Sequence, residues 1–136
     1  MIQRHQLWTK TSLDELVTVI NWFSQNCQSS VSRETLIRCQ TVLAEAFTNV
    51  VRHAHRHLHV ETPIEIELTL HPQQLELRVW DCGPAFEFTH YLNTHTAHDP
   101  EAIGGRGIQL IAHLADQVSY ERTADQRNCL WMIKRY

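Results

Sequence analysis

Apolar and polar positions follow two rhythms along this chain. Leu13, Leu16, Val17, Ile20 and Phe23 recur at helical spacing up to about Cys27, behind the capping-box pattern Ser12-x-x-Glu15. Gln28-Ser29-Ser30 reads as a connector, and Ser32 is placed to cap a second, longer helix running to about His55. At ~100° per residue, Leu36, Cys39, Leu43, Ala46, Phe47, Val50 and Val51 form one broad apolar arc on it. The rhythm then changes to period two. Residues 64–70 and 75–80 alternate across the turn His71-Pro72-Gln73-Gln74, which predicts an antiparallel hairpin with one face buried. Periodicity is lost from about Phe86 to Ile103. A short helix with Ile108, Ile111, Leu114 and Ala115 on one side follows, then a strand from Val118 to Arg122. Ala124 to Arg127 reads as a turn, and Asn128 to Lys134 as a last strand. Residues 2–9 read as a short edge strand. The order predicts an α+β fold in one domain, residues 1–136. It is a two-layer sandwich, a mostly antiparallel sheet covered on one face by helices.

The fold leaves two features unexplained. Glu45, Asn49 and His53, spaced i, i+4, i+8, form a polar ridge beside the apolar arc, successive members about 40° apart on the helix wheel. The four glycines, Gly83, Gly104, Gly105 and Gly107, all fall at the borders of the irregular stretch, and none is spent on a hairpin turn. A long aperiodic stretch inside a compact domain generally has a use. Glycine lets backbone come close to a ligand, and the amides of Gly104–Gly107 just before a helix suit an anion such as phosphate. Neither a Walker A pattern nor a Rossmann fingerprint is present. Together, ridge and glycines suggest a pocket with a helix wall, an acid at a strand end (Asp81) and a phosphate loop.

Composition narrows the classes. Hydrophobic content of 43% and charged content of 20% are those of a soluble globular protein. A net charge of −3 without a basic stripe gives no support to nucleic-acid binding. No apolar run approaches ~20 residues and no signal peptide opens the chain, so a cytoplasmic protein away from the membrane is expected. The four cysteines form no CxxC pair and are expected as reduced thiols. His53, His55, His57 and His59 raise the question of metal. On a helix they make two i, i+4 pairs on different faces, neither with an obvious cysteine or acidic third ligand. Favourable interaction with the helix C-terminus is the simpler reading.

The motifs resemble a known superfamily. Glu45-x-x-x-Asn49-x-x-x-His53 is similar to the N box of the Bergerat-fold ATP-binding proteins, which include histidine kinases and gyrase B. Asp81-x-Gly83 is similar to their G1 box, and Gly105-x-Gly107-Ile108 to their G2 box. Order and spacing match over about residues 10 to 134. Within the superfamily, the runs Ala44–Ala54 and Gly104–Ile111 most resemble the stand-alone anti-sigma-factor serine/threonine kinases of bacteria.

The resemblance implies ATP and Mg²⁺ as cofactors, with Asn49, His53, Asp81, Gly83, Gly105, Arg106, Gly107 and Ile108 at the nucleotide. Asn49 would be the magnesium ligand and Asp81 the acceptor for the adenine amine. Gly105 and Gly107 would shape a lid, with Arg106 near the γ-phosphate, and Glu45 would be the general base. The implied partner is a small anti-sigma-factor antagonist carrying a Ser/Thr phosphoacceptor, with a sigma factor or another regulatory target opposite it and a possible homodimer. The alternative is a nucleotide-sensing binding module without phosphotransfer. One departure concerns the tail, where Cys129 stands at a place expected to hold a small hydroxyl residue near the nucleotide.

Overall fold

β1 (Gln3–Thr9) runs along one edge of a five-stranded sheet and pairs with β2 (Ile64–Leu70), as the edge-strand reading expects. β2 continues into the predicted hairpin with β3 (Gln74–Asp81). The final hairpin, β4 (Gln117–Arg122) and β5 (Asn128–Arg135), adds with β5 innermost, so the order is β1-β2-β3-β5-β4 and every pairing is antiparallel. This computed structural model describes residues 2–85 and 105–136, so the irregular stretch to Ile103, and Gly104 with it, lies outside the described residues. One consequence of the register matters for function: Asp81, the last residue of β3, sits opposite Asn128, the first of β5.

Three helices cover one face of the sheet. α1 (Leu16–Cys27) follows a single 3₁₀ turn, Leu13–Glu15, whose cap is Ser12 accepting from the Asp14 amide at 3.2 Å. That tighter turn changes the phase of the stripe. Val19, Phe23 and Cys27 are fully buried, whereas Val17 is 69% exposed and Leu13 40%, so these two leave the core that periodicity assigned them. α2 (Arg33–Asn49) is capped by Ser32 Oγ accepting from the Thr35 amide at 3.2 Å. Its arc packs as expected: Cys39, Leu43, Ala46, Phe47 and Val50 are buried, and Leu36 and Val51 pack partly buried against them. α3 (Gly105–Leu114) begins at Gly105, so two of the glycines predicted to precede the helix form its first turn. α2 packs against both other helices, and Ile64, Ile66, Leu68, Leu77 and Met132 meet them from the sheet.

The second helix does not stay α-helical to His55. From Val50 to Ala54 it widens into a π-turn, closed by the His55 amide donating to the Val50 carbonyl at 2.8 Å. One extra residue in the turn shifts the later side chains back relative to α-helical phase.

The outer face of the sheet corrects a second expectation. Alternation predicts a solvated face, yet Glu65 is 7% exposed and Thr69 8%. Long side chains lie over the pleat and close it. Arg127 Nη1 meets Glu65 at 3.0 Å, and its guanidinium stacks 4.4 Å from the centre of the Trp80 ring. Trp80 Nε1 donates to Glu67 at 2.5 Å, and Trp131 Nε1 to Glu76 at 2.9 Å. Period two is blind to this, because it scores Glu and Arg as polar wherever their stems lie. Arg127→Ala should lower unfolding stability by about 1–2 kcal/mol, from a buried carboxylate left unpaired and a lost stacking surface, discounted for the exposure of the arginine. Urea denaturation measures it; an unchanged midpoint would mean that water already satisfies Glu65.

Candidate functional site

A cleft opens between α2 and α3 over one end of the sheet. Ala46, Asn49, Val50, His53 and Ala54 form one wall, and Ile108 and Ile111 the other. Val79 and Asp81 of β3, Leu130 of β5 and Tyr120 of β4 form the floor, with Pro84 and Ala85 at the rim. The walls are mainly apolar, with a few polar groups converging, which is the usual make-up of a small-molecule site.

Asp81 is the buried acid, 3% exposed, and its two oxygens are treated differently. Oδ1 accepts from the Gly83 amide at 2.8 Å and from Asn128 Nδ2 at 2.9 Å. Oδ2 accepts from the Tyr120 hydroxyl at 3.4 Å, a long bond that leaves acceptor capacity toward the cleft. Asn128 is fully buried, and its Nδ2 also lies 3.1 Å from the Gly83 carbonyl and 3.2 Å from that of Pro84. Arg122 Nη1 donates to Asn128 Oδ1 and to the Gly83 carbonyl, each at 3.2 Å. A donor on one side and an acceptor on the other fix the Asn128 amide, and the amide in turn fixes the carboxylate. Burial beside this carboxylate pushes the Tyr120 phenol well above its ordinary value, so it remains a donor.

Gly83 lies against the π-turn. A Cβ placed on it would fall 2.6 Å from the Ala54 carbonyl oxygen and 3.0 Å from the Ala54 Cβ. Only glycine lets the turn after β3 lie this close to the helix. Gly107 is pressed in the same way against the ridge. A Cβ there would meet Glu45 Oε2 at 2.8 Å, Asn49 Nδ2 at 3.0 Å and Asn49 Oδ1 at 3.3 Å. The ridge and the first turn of α3 are thus brought together at one side of the cleft. His53, half-buried on the wall, has its pKa lowered, first by burial and then by Arg52 and Arg56.

Of the residues singled out by the sequence, Asn49, His53, Asp81 and Ile108 line the cleft. Gly83 borders it, Glu45 and Gly107 meet beside it, and Gly105 begins α3. The side chain of Arg106 lies outside the described set. Cys129 does not face the cleft: it alternates with Leu130, pairs with Trp80 and belongs to the outer face, where burial pushes its thiol up to about 12. Cys27, Cys39 and Cys82 are free as well. Among the described residues, no three His, Cys, Asp or Glu side chains converge on a metal position, and no helix is long and apolar enough to cross a membrane.

Sequence reasoning missed Asn128, Arg122, Tyr120 and His55. No local pattern marks the first three, and only strand register brings them to Asp81.

The model of the histidine kinase-like ATPase domain family matches residues 9–134. Among solved structures, a chain of the SiaB–SiaC complex from Pseudomonas aeruginosa superposes with a TM-score of 0.72 at 8% identity, covering 95% of this chain and 88% of that one. The histidine kinase AdeS of Acinetobacter baumannii superposes with a TM-score of 0.50 at 13% identity, covering 96% of this chain and 67% of that one. These identities speak for a shared fold. No functionally curated protein matches the chain in sequence.

Proposed function

We propose that this chain, which belongs to the histidine kinase-like ATPase domain family, binds Mg-ATP in the cleft and phosphorylates a serine or threonine of a small partner protein. The observation that carries the reading is spatial. A buried carboxylate with one oxygen fully engaged and one turned to the cleft forms the floor, and Glu45, Asn49 and Gly107 meet at the side.

The residues present suit the group. Asp81 Oδ2 would accept from the exocyclic amine of adenine, while Asn128 and the Gly83 amide keep Oδ1 occupied. Val50, Val79, Ile111 and Leu130 would exclude water from the faces of the base. Asn49 would hold Mg²⁺ through its amide oxygen, which suits a cation that keeps several waters and the phosphates as its other ligands. Gly105–Gly107 would present the first amides of α3 to the phosphates, and Ile108, His53 and Arg106 complete the proposed nucleotide set. ATP supplies the phosphoryl group, and magnesium neutralises its charge in transfer. Glu45 would accept the proton of the incoming hydroxyl.

The proposed partner is a small anti-sigma-antagonist-type protein. The Pseudomonas neighbour was itself solved as a complex of two proteins, SiaB with SiaC. A sigma factor or similar regulator would be the counterpart on the other side of the switch, and a homodimer its assembly.

Asp81→Asn tests the adenine assignment. Whichever way the new amide turns, an NH₂ group faces either the Gly83 and Asn128 donors or the Tyr120 hydroxyl and the base. Calorimetric titration should show ATP affinity about 10–100-fold weaker, the scale of a buried donor left unpaired. Equal binding by parent and variant would remove adenine from the floor. Transfer itself is read by radiolabelled ATP offered with candidate antagonist proteins of the same genome.

A further inference from the structure

His55 belongs to the alternating histidine run, yet it is 1% exposed while His57 and His59 stand in solvent. Its two ring nitrogens join separate parts of the chain. Nε2 accepts from the Cys82 amide at 2.8 Å, in the middle of the Asp81–Gly83 turn. A backbone amide only donates, so Nε2 carries no proton and Nδ1 does. Nδ1 lies 2.8 Å from Thr11 Oγ1, to which it donates, and that hydroxyl passes its own hydrogen to the Thr62 carbonyl at 2.7 Å. Every group in the chain has one consistent role, and only neutral imidazole fits it.

We propose that His55 is a positioning residue for the nucleotide site, whose neutral ring holds the Asp81–Gly83 turn in its receptive shape and whose protonation releases that turn. The nucleotide part rests on the ATP-binding reading above. Protonation affects one side alone. Nδ1 keeps its bond to Thr11, but a new Nε2–H points at the Cys82 N–H, two donors face to face. The ring then ceases to hold the segment that carries Asp81, which is the adenine acceptor on that reading.

Burial pushes the His55 pKa below its ordinary value, against the upward pull of Asp81. The titratable groups nearby are Asp81 and Cys82 at the end of β3 and His53 on the same turn, itself depressed by burial, Arg52 and Arg56. Thr11 and Thr62, on the segments at its other side, are uncharged. A histidine kept neutral by folding contributes stability that is fully present above its unfolded pKa of about 6.5 and lost as pH falls through the folded value. Nucleotide affinity should fall in the same window. His53 acts with the opposite sign, because its protonated ring attracts phosphate.

The test uses the full chain without nucleotide and then with Mg-ADP, between about pH 7.5 and 5.5, a window around the ordinary histidine value. Two-dimensional NMR should show the Cys82 and Gly83 amides titrating with the His55 ring. His55→Gln presents an uncharged acceptor to the Cys82 amide, whereas His55→Phe keeps ring volume without one. Mg-ADP should bind the glutamine variant close to the parent at the upper pH and bind the phenylalanine variant about fivefold or more weaker. The ratio of parent to glutamine-variant dissociation constants should rise as pH falls through the His55 midpoint, since His53 titrates in both. Static Cys82 and Gly83 amides, or a flat ratio, would overturn the proposal. Should the phenylalanine variant not fold, the amide titration and the glutamine variant still decide. Absence of Mg-ADP binding to the parent at every pH refutes the ATP-binding reading and the nucleotide part of this proposal, while the amide titration independently decides the hold on the turn.

Discussion

Glu45→Ala should leave Mg-ATP binding intact or slightly tighter and slow phosphotransfer by about 10²–10⁴-fold, the usual worth of a general base. The carboxylate stands one helical turn before Asn49, and both side chains crowd the same side of Gly107. A negative charge beside phosphates contributes nothing to holding them, so its removal is not expected to weaken binding. Its use is to take a proton from an incoming hydroxyl. Asn49→Ala should instead weaken Mg-ATP binding and transfer together. If Glu45 is an ordinary flank residue of the helix, its alanine variant will match the parent in both assays. A parent that binds Mg-ATP yet labels no partner, while its affinity for that partner differs between ATP and ADP, would replace the kinase by a nucleotide sensor.

Gly83→Ala should cost about 1–3 kcal/mol of stability and at least about tenfold in nucleotide affinity. The added methyl would lie 2.6 Å from a backbone oxygen, that of Ala54, in a turn of helix packed into the core. Neither side can give way by rotating a side chain. The segment after Asp81 must lift, which loosens the amide that holds Oδ1 and the Asn128 contacts with the Gly83 and Pro84 carbonyls. Gly107→Ala is the control. Its new methyl meets the ends of Glu45 and Asn49, which swing aside, so the fold should persist while the ridge is displaced. Urea denaturation and calorimetry on the pair separate the two effects. Parent-like behaviour of Gly83→Ala in both measurements would show that the turn is not held against Ala54 in solution.

Much of this architecture was legible in the sequence, for physical reasons. The helical arc of α2, the alternating hairpin and the caps at Ser12 and Ser32 are local patterns, and each formed where its period placed it. The ridge of Glu45, Asn49 and His53 was legible because helix spacing is short-range. Val17 and Leu13 were assigned to the core because the 3₁₀ turn before α1 leaves no mark in a hydrophobic period. Asn128 was invisible because its importance depends on which residue of β3 it faces, and register across a sheet is not written in either strand alone. His55 was hidden by the π-turn: counted as α-helix, the histidines fall on two alternating faces, and nothing sets one apart.

The π-turn also means that this part of the chain encodes a length as well as a composition. Val50–Ala54 holds one residue more than an α-helical turn needs. Losing any one of the five would let the helix close normally, at little local cost, and would rotate everything beyond it by about 100°. Ala54 would then leave Gly83, and His55 would leave both Thr11 and Cys82, although no contacting side chain had changed. The segment is therefore expected to tolerate many substitutions at its exposed positions and to reject single-residue deletions anywhere within it. Among relatives that keep the Asp81 site, its residue count is expected to be preserved even where its residues differ.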